Sequence, residues 1–294
     1  MKSALSYVCS LIISVLLVLT TICAEASLVA NINIKEGKFH SLAYENDLSG
    51  KTLTQLNKYF SSRYNSTGVP AEVYMDAIDE TYIDRVINEY IDCGFNSLRT
   101  GGDVVVNVEN DRLEKSIEDF FVESAENSGK KQDEKFEKKL EETKKSAYSV
   151  ISEYCDTYKF TSLKKHGVLQ KLTLLFNRLD MIVIVSVAAC MILMLLLFLL
   201  NIRFKPATLY WIGVSSFIAG IISAVPSLYL LASGYFDRFT IKQAQVYAAY
   251  TSAMKLYTNS FLAASICIVA AGICFFIVYR TITKHSNKTA KEAK

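Results

Sequence analysis

The sequence predicts an all-α integral membrane protein with four transmembrane helices and a large, mainly helical extracytoplasmic domain between the first and the second. Three observations predict it. Of 294 residues, 51% are hydrophobic and the mean hydropathy is +0.23, high for a soluble chain of this size. The apolar residues are bunched into runs at about 5–23, 181–202, 207–232 and 260–279, none holding a charged residue. Each approaches or exceeds the roughly 18 to 20 residues that carry a helix across about 30 Å of hydrocarbon. Residues 27–180, between the first two runs, are rich in charge with periodically spaced apolar residues, and they are numerous enough for one small domain with its own core.

The first element, residues 1–26, reads two ways. Lys2 supplies a charged start, and Ala24 and Ala26 in "CAEAS" have the small-x-small spacing of a signal-peptidase site. The apolar run exceeds the usual signal core of roughly 7 to 15 residues, which favours an uncleaved signal anchor. Cleavage after Ala26 would leave three spans. A lipid anchor on Cys23 is disfavoured by the bulk of Ile22 before it.

The domain of residues 27–180 reads as a series of helices. Leu53, Leu56 and Phe60 share a face before "NSTGVP" breaks the chain, and Pro70 suits a first helical position. Ile83, Val86, Ile87, Tyr90 and Ile91 recur at helical spacing until "TGG" at 100–102. "DVVVNVEN" at 103–110 is the one extended stretch, and Asn110 or Asp111 can cap the next helix, with Leu113, Ile117, Phe120 and Phe121 as its apolar stripe. After the linker "ENSGKKQDEK", a long helix over 135–158 carries Phe136, Leu140, Ala147, Val150, Ile151, Tyr154 and Tyr158 on one side. Its charged start, "KFEKKLEETKK", reads as a solvated face, with a docking surface as the alternative. From Ser162 the apolar spacing runs into the second span without proline, so one long helix is expected, or two with a small bend at Gly167.

Residues 181–294 form the membrane domain: spans at 181–202, 207–232 and 260–279, an outer loop at 233–259 and a tail at 280–294. Arg203 and Lys205 in the turn "NIRFKP", and Arg280, Lys284, Lys288, Lys291 and Lys294 against Glu292 in the tail, place the turn and the C-terminus in the cytoplasm. The domain is then outside; residues 28–180 hold 26 acidic and 21 basic residues, a net charge of about −5. In the outer loop, Tyr247, Tyr250, Met254 and Tyr257 fall on one helical face. That face either lies at the headgroup level or packs under the domain as an interaction face.

Small residues recur every four positions in the third span, at Ser215, Ala219 and Ser223 and at Ser216, Gly220 and Ala224. They do so again in the fourth, at Ala263, Cys267 and Ala271, as in helices that pack closely. Tyr210 and Trp211 mark the inner interface, and Pro226 suits a kink near the outer end of the third span. No span carries the mid-membrane charge of an ion or solute pathway.

Enzyme signatures are missing from the sequence: no H-E-x-x-H, paired C-x-x-C, phosphate-binding glycine loop or G-x-S-x-G. His40 and His166 lie far apart in sequence, and His285 is in the cytoplasmic tail. No catalytic, metal or cofactor-binding residue is therefore assigned, and no nucleic-acid partner is expected. Of seven cysteines, Cys9, Cys190, Cys267 and Cys274 lie in apolar spans; only Cys93 and Cys155 belong to the domain, where they can bridge or remain two buried thiols. Asn65-Ser66-Thr67 is a glycosylation acceptor by pattern. The scarcity of proline and tryptophan, with abundant Lys, Asn, Ile and Tyr, suggests instead a bacterium with an AT-rich genome, in which the site goes unused.

The layout of one span, a large external domain and three further spans is similar to that of permease subunits of the FtsX and MacB type, which relay motion between an ATPase inside and a partner outside. The similarity is of topology alone. In those families the inner turn after the second span carries an ATPase-docking helix, for which "NIRFKP" is too short. The leading expectation is a non-enzymatic multi-pass membrane protein whose external domain binds a protein, peptide or envelope component; the alternative is a relay subunit of a membrane complex.

Overall fold

The computed structural model describes residues 2–129 and 132–292; for Lys2, Ser3, Leu5, Arg203 and residues 285–292 it describes the backbone only. The charged side chains of Lys2, Arg203, Lys288, Lys291, Glu292 and Lys294, and that of His285, lie outside the described set, as do Lys130 and Lys131 in the expected linker.

Among the described residues the chain is all helical. In order it forms α1 (Lys2–Asn33), α2 (Glu36–Glu45), α3 (Leu48–Thr67), α4 (Ala71–Met75), α5 (Glu80–Thr100) and α6 (Asp111–Asn127). Next come α7 (Glu134–Cys155), α8 (Phe160–Lys165), α9 (Val168–Leu200), α10 (Pro206–Ala232) and α11 (Ala244–Glu292), with 3-10 turns at Ile202–Phe204 and Tyr235–Arg238. Four stretches are long and apolar enough to cross a membrane: Ser6–Asn33, Val168–Leu200, Pro206–Ala232 and Ala244–Lys284. They expose many large apolar side chains, Leu11, Ile184, Leu196, Ile222 and Ile277 among them, which suits a lipid environment and points to a membrane protein. Pro226 sits inside α10 without ending it.

The chain divides into two compact units. The helical unit comprises Lys35–Phe176 and Phe239–Ala253; the span unit comprises Met1–Ile34, Asn177–Arg238 and Met254–Lys294.

The helical unit is built on α5. Its Ile83, Val86, Ile87 and Ile91 are fully buried, and around them lie Leu48 and Leu56 of α3, Leu113 of α6, Ile151 of α7 and Phe160 of α8. Each buried side chain of this size contributes about 1.5 to 3 kcal/mol relative to exposure. Short polar side chains start the helices by accepting orphan amides: Asp79 from Tyr82 N at 2.7 Å, Asn110 from Arg112 N at 3.0 Å and Leu113 N at 3.3 Å, and Asp133 from Phe136 N at 3.1 Å. Gly68 and Gly101 end α3 and α5 in the left-handed conformation.

"DVVVNVEN" is extended but forms no strand, because side chains of neighbouring helices take its backbone groups. Glu89 accepts from Asn107 N at 3.3 Å, Cys93 donates to Val105 O at 3.3 Å, Tyr82 donates to Val108 O, and Tyr148 donates to Asn110 O at 3.2 Å. Of the two readings of the approach to the second span, the structure has the second, two helices, with Gly167 at φ +70 between α8 and α9.

In the span unit, α1 is the common neighbour, tied to each other spanning helix by polar side chains. To α9 run Asn31 Nδ2 to Asp180 Oδ1 at 2.7 Å, the Ser27–Ser186 hydroxyl pair at 3.3 Å and the Thr21–Cys190 pair at 3.9 Å. Just past the C-terminal end of α9, Asn201 Nδ2 donates to Ser10 Oγ at 3.1 Å. To α10 runs the Ser14–Ser215 hydroxyl pair at 2.7 Å. To α11 run Glu25 and Asn33, which accept from Ser265 Oγ at 2.5 Å and Ser260 Oγ at 3.3 Å. Such bonds are worth about 0.6 kcal/mol each on average within bilayers. Helices α10 and α11 approach closely at Gly272, where a Cβ would lie 2.7 Å from Phe217 N and 3.0 Å from Gly213 O.

The expected row Ser215, Ala219 and Ser223 is buried, as is Gly220, but Ala263, Cys267 and Ala271 of α11 are exposed. The interior of α11 is Ser265 and Gly272 instead: composition marks small residues, whereas helical phase decides which of them face a neighbour.

Candidate functional site

The charged start of α7 lies between two grooves of the helical unit. Leu140 and Ala147 anchor α7 to the core, and the lysines and glutamates between them project outward. Lys144 alone is drawn in, its ammonium 3.7 Å from Glu118 and 3.6 Å from Glu141. Against α6, Phe121, Ala125, Asp133, Phe136 and Lys139 line a groove of about 420 Å³. Its Phe121 and Phe136 rings meet edge to face at 6.1 Å. Ser124, Ser128 and Lys135 complete its lining.

The groove on the other side, about 410 Å³, runs between α3 and α7. Its floor is aromatic: Phe60 and Tyr74 stack at 4.1 Å, and Tyr59 packs edge-on to Phe60 at 5.6 Å. Burial pushes the Tyr74 phenol up to about 12. Its rim carries both charges: Arg63, whose guanidinium lies 5.4 Å from the Tyr59 ring, with Lys139 and Glu142; Ser66, Thr67, Thr143 and Ser146 add hydroxyls. The groove thus sets an aromatic floor beside a rim of both charges and hydroxyls. Among the described residues no group of three or more His, Cys, Asp or Glu could hold a metal ion.

The other residues singled out from sequence serve local structure. Cys93 and Cys155 are free thiols; Cys155 is fully buried and Cys93 bonds to the Val105 carbonyl, so the bridge is not made. Burial pushes both thiols up, for Cys93 with help from Glu89 and Asp92. His40 Nε2 lies 2.8 Å from Asp92 Oδ1, and His166 Nδ1 lies 2.8 Å from Ser162 O.

The tyrosine face of α11 is divided between the two units. Tyr247 and Tyr250 group with the helical unit and Met254 and Tyr257 with the span unit. Tyr250 donates to Tyr158 O at 2.8 Å. The positions most buried in that segment are Gln245, Val246, Ala248 and Ala249, and Gln245 Nε2 donates to Tyr154 O at 3.4 Å. Gln245 was missed from sequence because one amide in "KQAQVYAAY" carries no periodic signal.

Glu25 was also missed. The first apolar run ends at residue 23, but α1 continues through "CAEAS" to Asn33, so an acidic residue lies within the candidate span, 5% exposed. The signal was present in the small residues that flank it, which are equally at home in a packed helix and at a cleavage site.

Comparison of the chain with family models, with curated proteins and with solved structures returns no match. The role of the α3–α7 groove therefore rests on its chemistry alone.

Proposed function

We propose that this is a non-enzymatic multi-pass membrane protein of a bacterial envelope whose helical unit lies outside the cytoplasm and binds a protein, peptide or other envelope component in the α3–α7 groove. The observation that carries the reading is the stacked aromatic floor beneath a rim of Arg63, Lys139 and Glu142. Aromatic and arginine side chains are the commonest anchors of protein interfaces, and this groove sets Arg63 and the half-buried Tyr59 over the buried Phe60 and Tyr74. The orientation rests on the basic inner turn and tail. The relay alternative gains no support: the turn between α9 and α10 holds one 3-10 turn, Ile202–Phe204, and no helix on which an ATPase could dock.

A photoreactive amino acid at Thr143, in the groove, and at Lys38, on α2 and outside it, tests the reading in cells. The expected outcome is a discrete adduct at Thr143 that is lost with Tyr59→Ala or Arg63→Glu and not formed from Lys38. Equal adducts at both positions, or adducts indifferent to those substitutions, would leave the groove without a role in binding.

A further inference from the structure

Residues 103–110 run extended between α5 and α6, and exposure alternates along them. Val104, Val106 and Val108 are half-buried, whereas Asp103, Val105, Asn107 and Glu109 are exposed. A period of two is that of a β-strand, in which the backbone groups of successive residues also point to opposite edges. One edge is taken by α5: Cys93 donates to Val105 O at 3.3 Å, and Glu89 accepts from Asn107 N at 3.3 Å. On the opposite edge, the N–H and C=O of Val104 and of Val106 have no hydrogen-bond partner among the described residues. This run ends at Val108, whose carbonyl accepts from Tyr82.

Two donors and two acceptors at alternate residues of one edge match the backbone of a second extended chain, and little else. Native edges are commonly guarded by lysine or proline; residues 103–110 contain neither, and Val105 at their centre is 76% exposed. The exposed side chains also state a charge. Asp103 and Glu109 flank Val105, the segment has no basic residue, and Glu89 and Asp92 of α5 add to the acidity. Lys164 faces Asp103 at 3.6 Å, but none of the ion pairs of the described residues includes Glu109. A second copy would bring acidic surface against acidic surface, since residues 28–180 carry about −5. Charge complementarity favours a basic strand instead.

We propose that the open edge of residues 103–110 pairs with an extended basic segment of a partner protein, its backbone bonded to Val104 and Val106 and its Lys or Arg side chains beside Asp103 and Glu109. This inference does not rest on the α3–α7 groove.

The test uses the full chain in phosphatidylcholine nanodiscs and a fluorescein-labelled heptapeptide, KTTVVTK, with binding read by anisotropy. Antiparallel pairing sets its two lysines opposite Asp103 and Glu109, its fifth residue opposite Val105, and its fourth and sixth residues on the backbone of Val106 and Val104. Binding should be saturable, and N-methylation of the fourth and sixth residues should weaken it roughly tenfold or more, as loss of two hydrogen bonds does. N-methylation of the third and fifth, whose amides point away, should change it less than about threefold, and the acidic peptide ETTVVTE should not bind. Val106→Pro, which removes one donor, should weaken binding to a similar degree, and Tyr59→Ala in the groove should leave it unchanged. Three results overturn the proposal: no saturable binding, equal sensitivity to the two methylation patterns, or loss with Tyr59→Ala and not with Val106→Pro. A dimer of the protein that Val106→Pro dissociates would overturn it as well, placing a second copy on the edge. Should Val106→Pro fail to fold, the two methylated peptides on the wild-type protein still decide.

Discussion

Cys93 and Cys155 differ in the property that sets thiol chemistry, access of water to the sulfur. Cys155 is fully buried at the end of α7, and burial holds its thiol in the protonated form; Cys93 is half-buried and reaches an exposed loop. Iodoacetamide on the native protein should therefore modify Cys93 at least tenfold faster than Cys155, while unreduced protein in denaturant should be modified at both. Protection of both cysteines in denaturant until a reductant is added would establish the bridge and overturn the free-thiol state. At this scale the sequence was least legible. The pairing of two cysteines, the buried carboxyl of Glu25 and the buried amide of Gln245 depend on which side chains meet across hundreds of residues, such as Glu25 and Ser265. Helical periodicity reports the face of one helix and is silent about its partner.

At the scale of single helices more was legible, and the misses share a cause. The apolar stripes over Ile83–Ile91 and Leu113–Phe121, the cap at Asn110 and the stop at Gly101 arise from local patterning, and the structure has them. "DVVVNVEN" has the β-branched composition of a strand, yet no second extended segment among the described residues pairs with it, so side chains of α5 and α7 satisfy it instead. The α3–α7 groove was legible only as the docking alternative for a charged helix, since its aromatic floor comes from α3 and α4. Close packing of elements also explains a glycine that helix propensity disfavours. A Cβ on Gly94, inside α5, would lie 2.3 Å from the Phe160 ring of α8. Gly94→Ala should destabilise the helical unit by about 1 to 3 kcal/mol, as overpacking does, although alanine is the better helix former. Combining it with Phe160→Leu should restore part of the loss, read by denaturant unfolding of single and double variants. A Gly94→Ala protein as stable as the wild type would mean that α8 is free to shift away from α5.

For the molecule as a whole, the proposed orientation rests on the distribution of charge. Arg203 and Lys205 lie in the turn after α9, and five basic residues against Glu292 come after the last apolar run; residues 28–180 are acidic overall, and residues 233–259 hold Arg238, Lys242 and Lys255 against Asp237. Basic residues in short loops are retained in the cytoplasm during insertion, and acidic residues contribute little to that bias, so the two short basic segments outweigh the long acidic one in setting orientation. In the proposed orientation, four spans put the helical unit outside. Removal of residues 1–26 would leave three spans with the new N-terminus already outside, so sidedness does not depend on processing. A reporter active only in the cytoplasm should work when fused after Lys294 and fail when inserted at Lys130. Intact mass of the purified chain reads the processing separately: retention of "CAEAS" is expected from the long apolar run, and a chain beginning at Ser27 would show cleavage without moving the helical unit. Reporter activity at Lys130 and not after Lys294 would reverse the orientation, and with it the compartment in which a partner for the α3–α7 groove has to be sought.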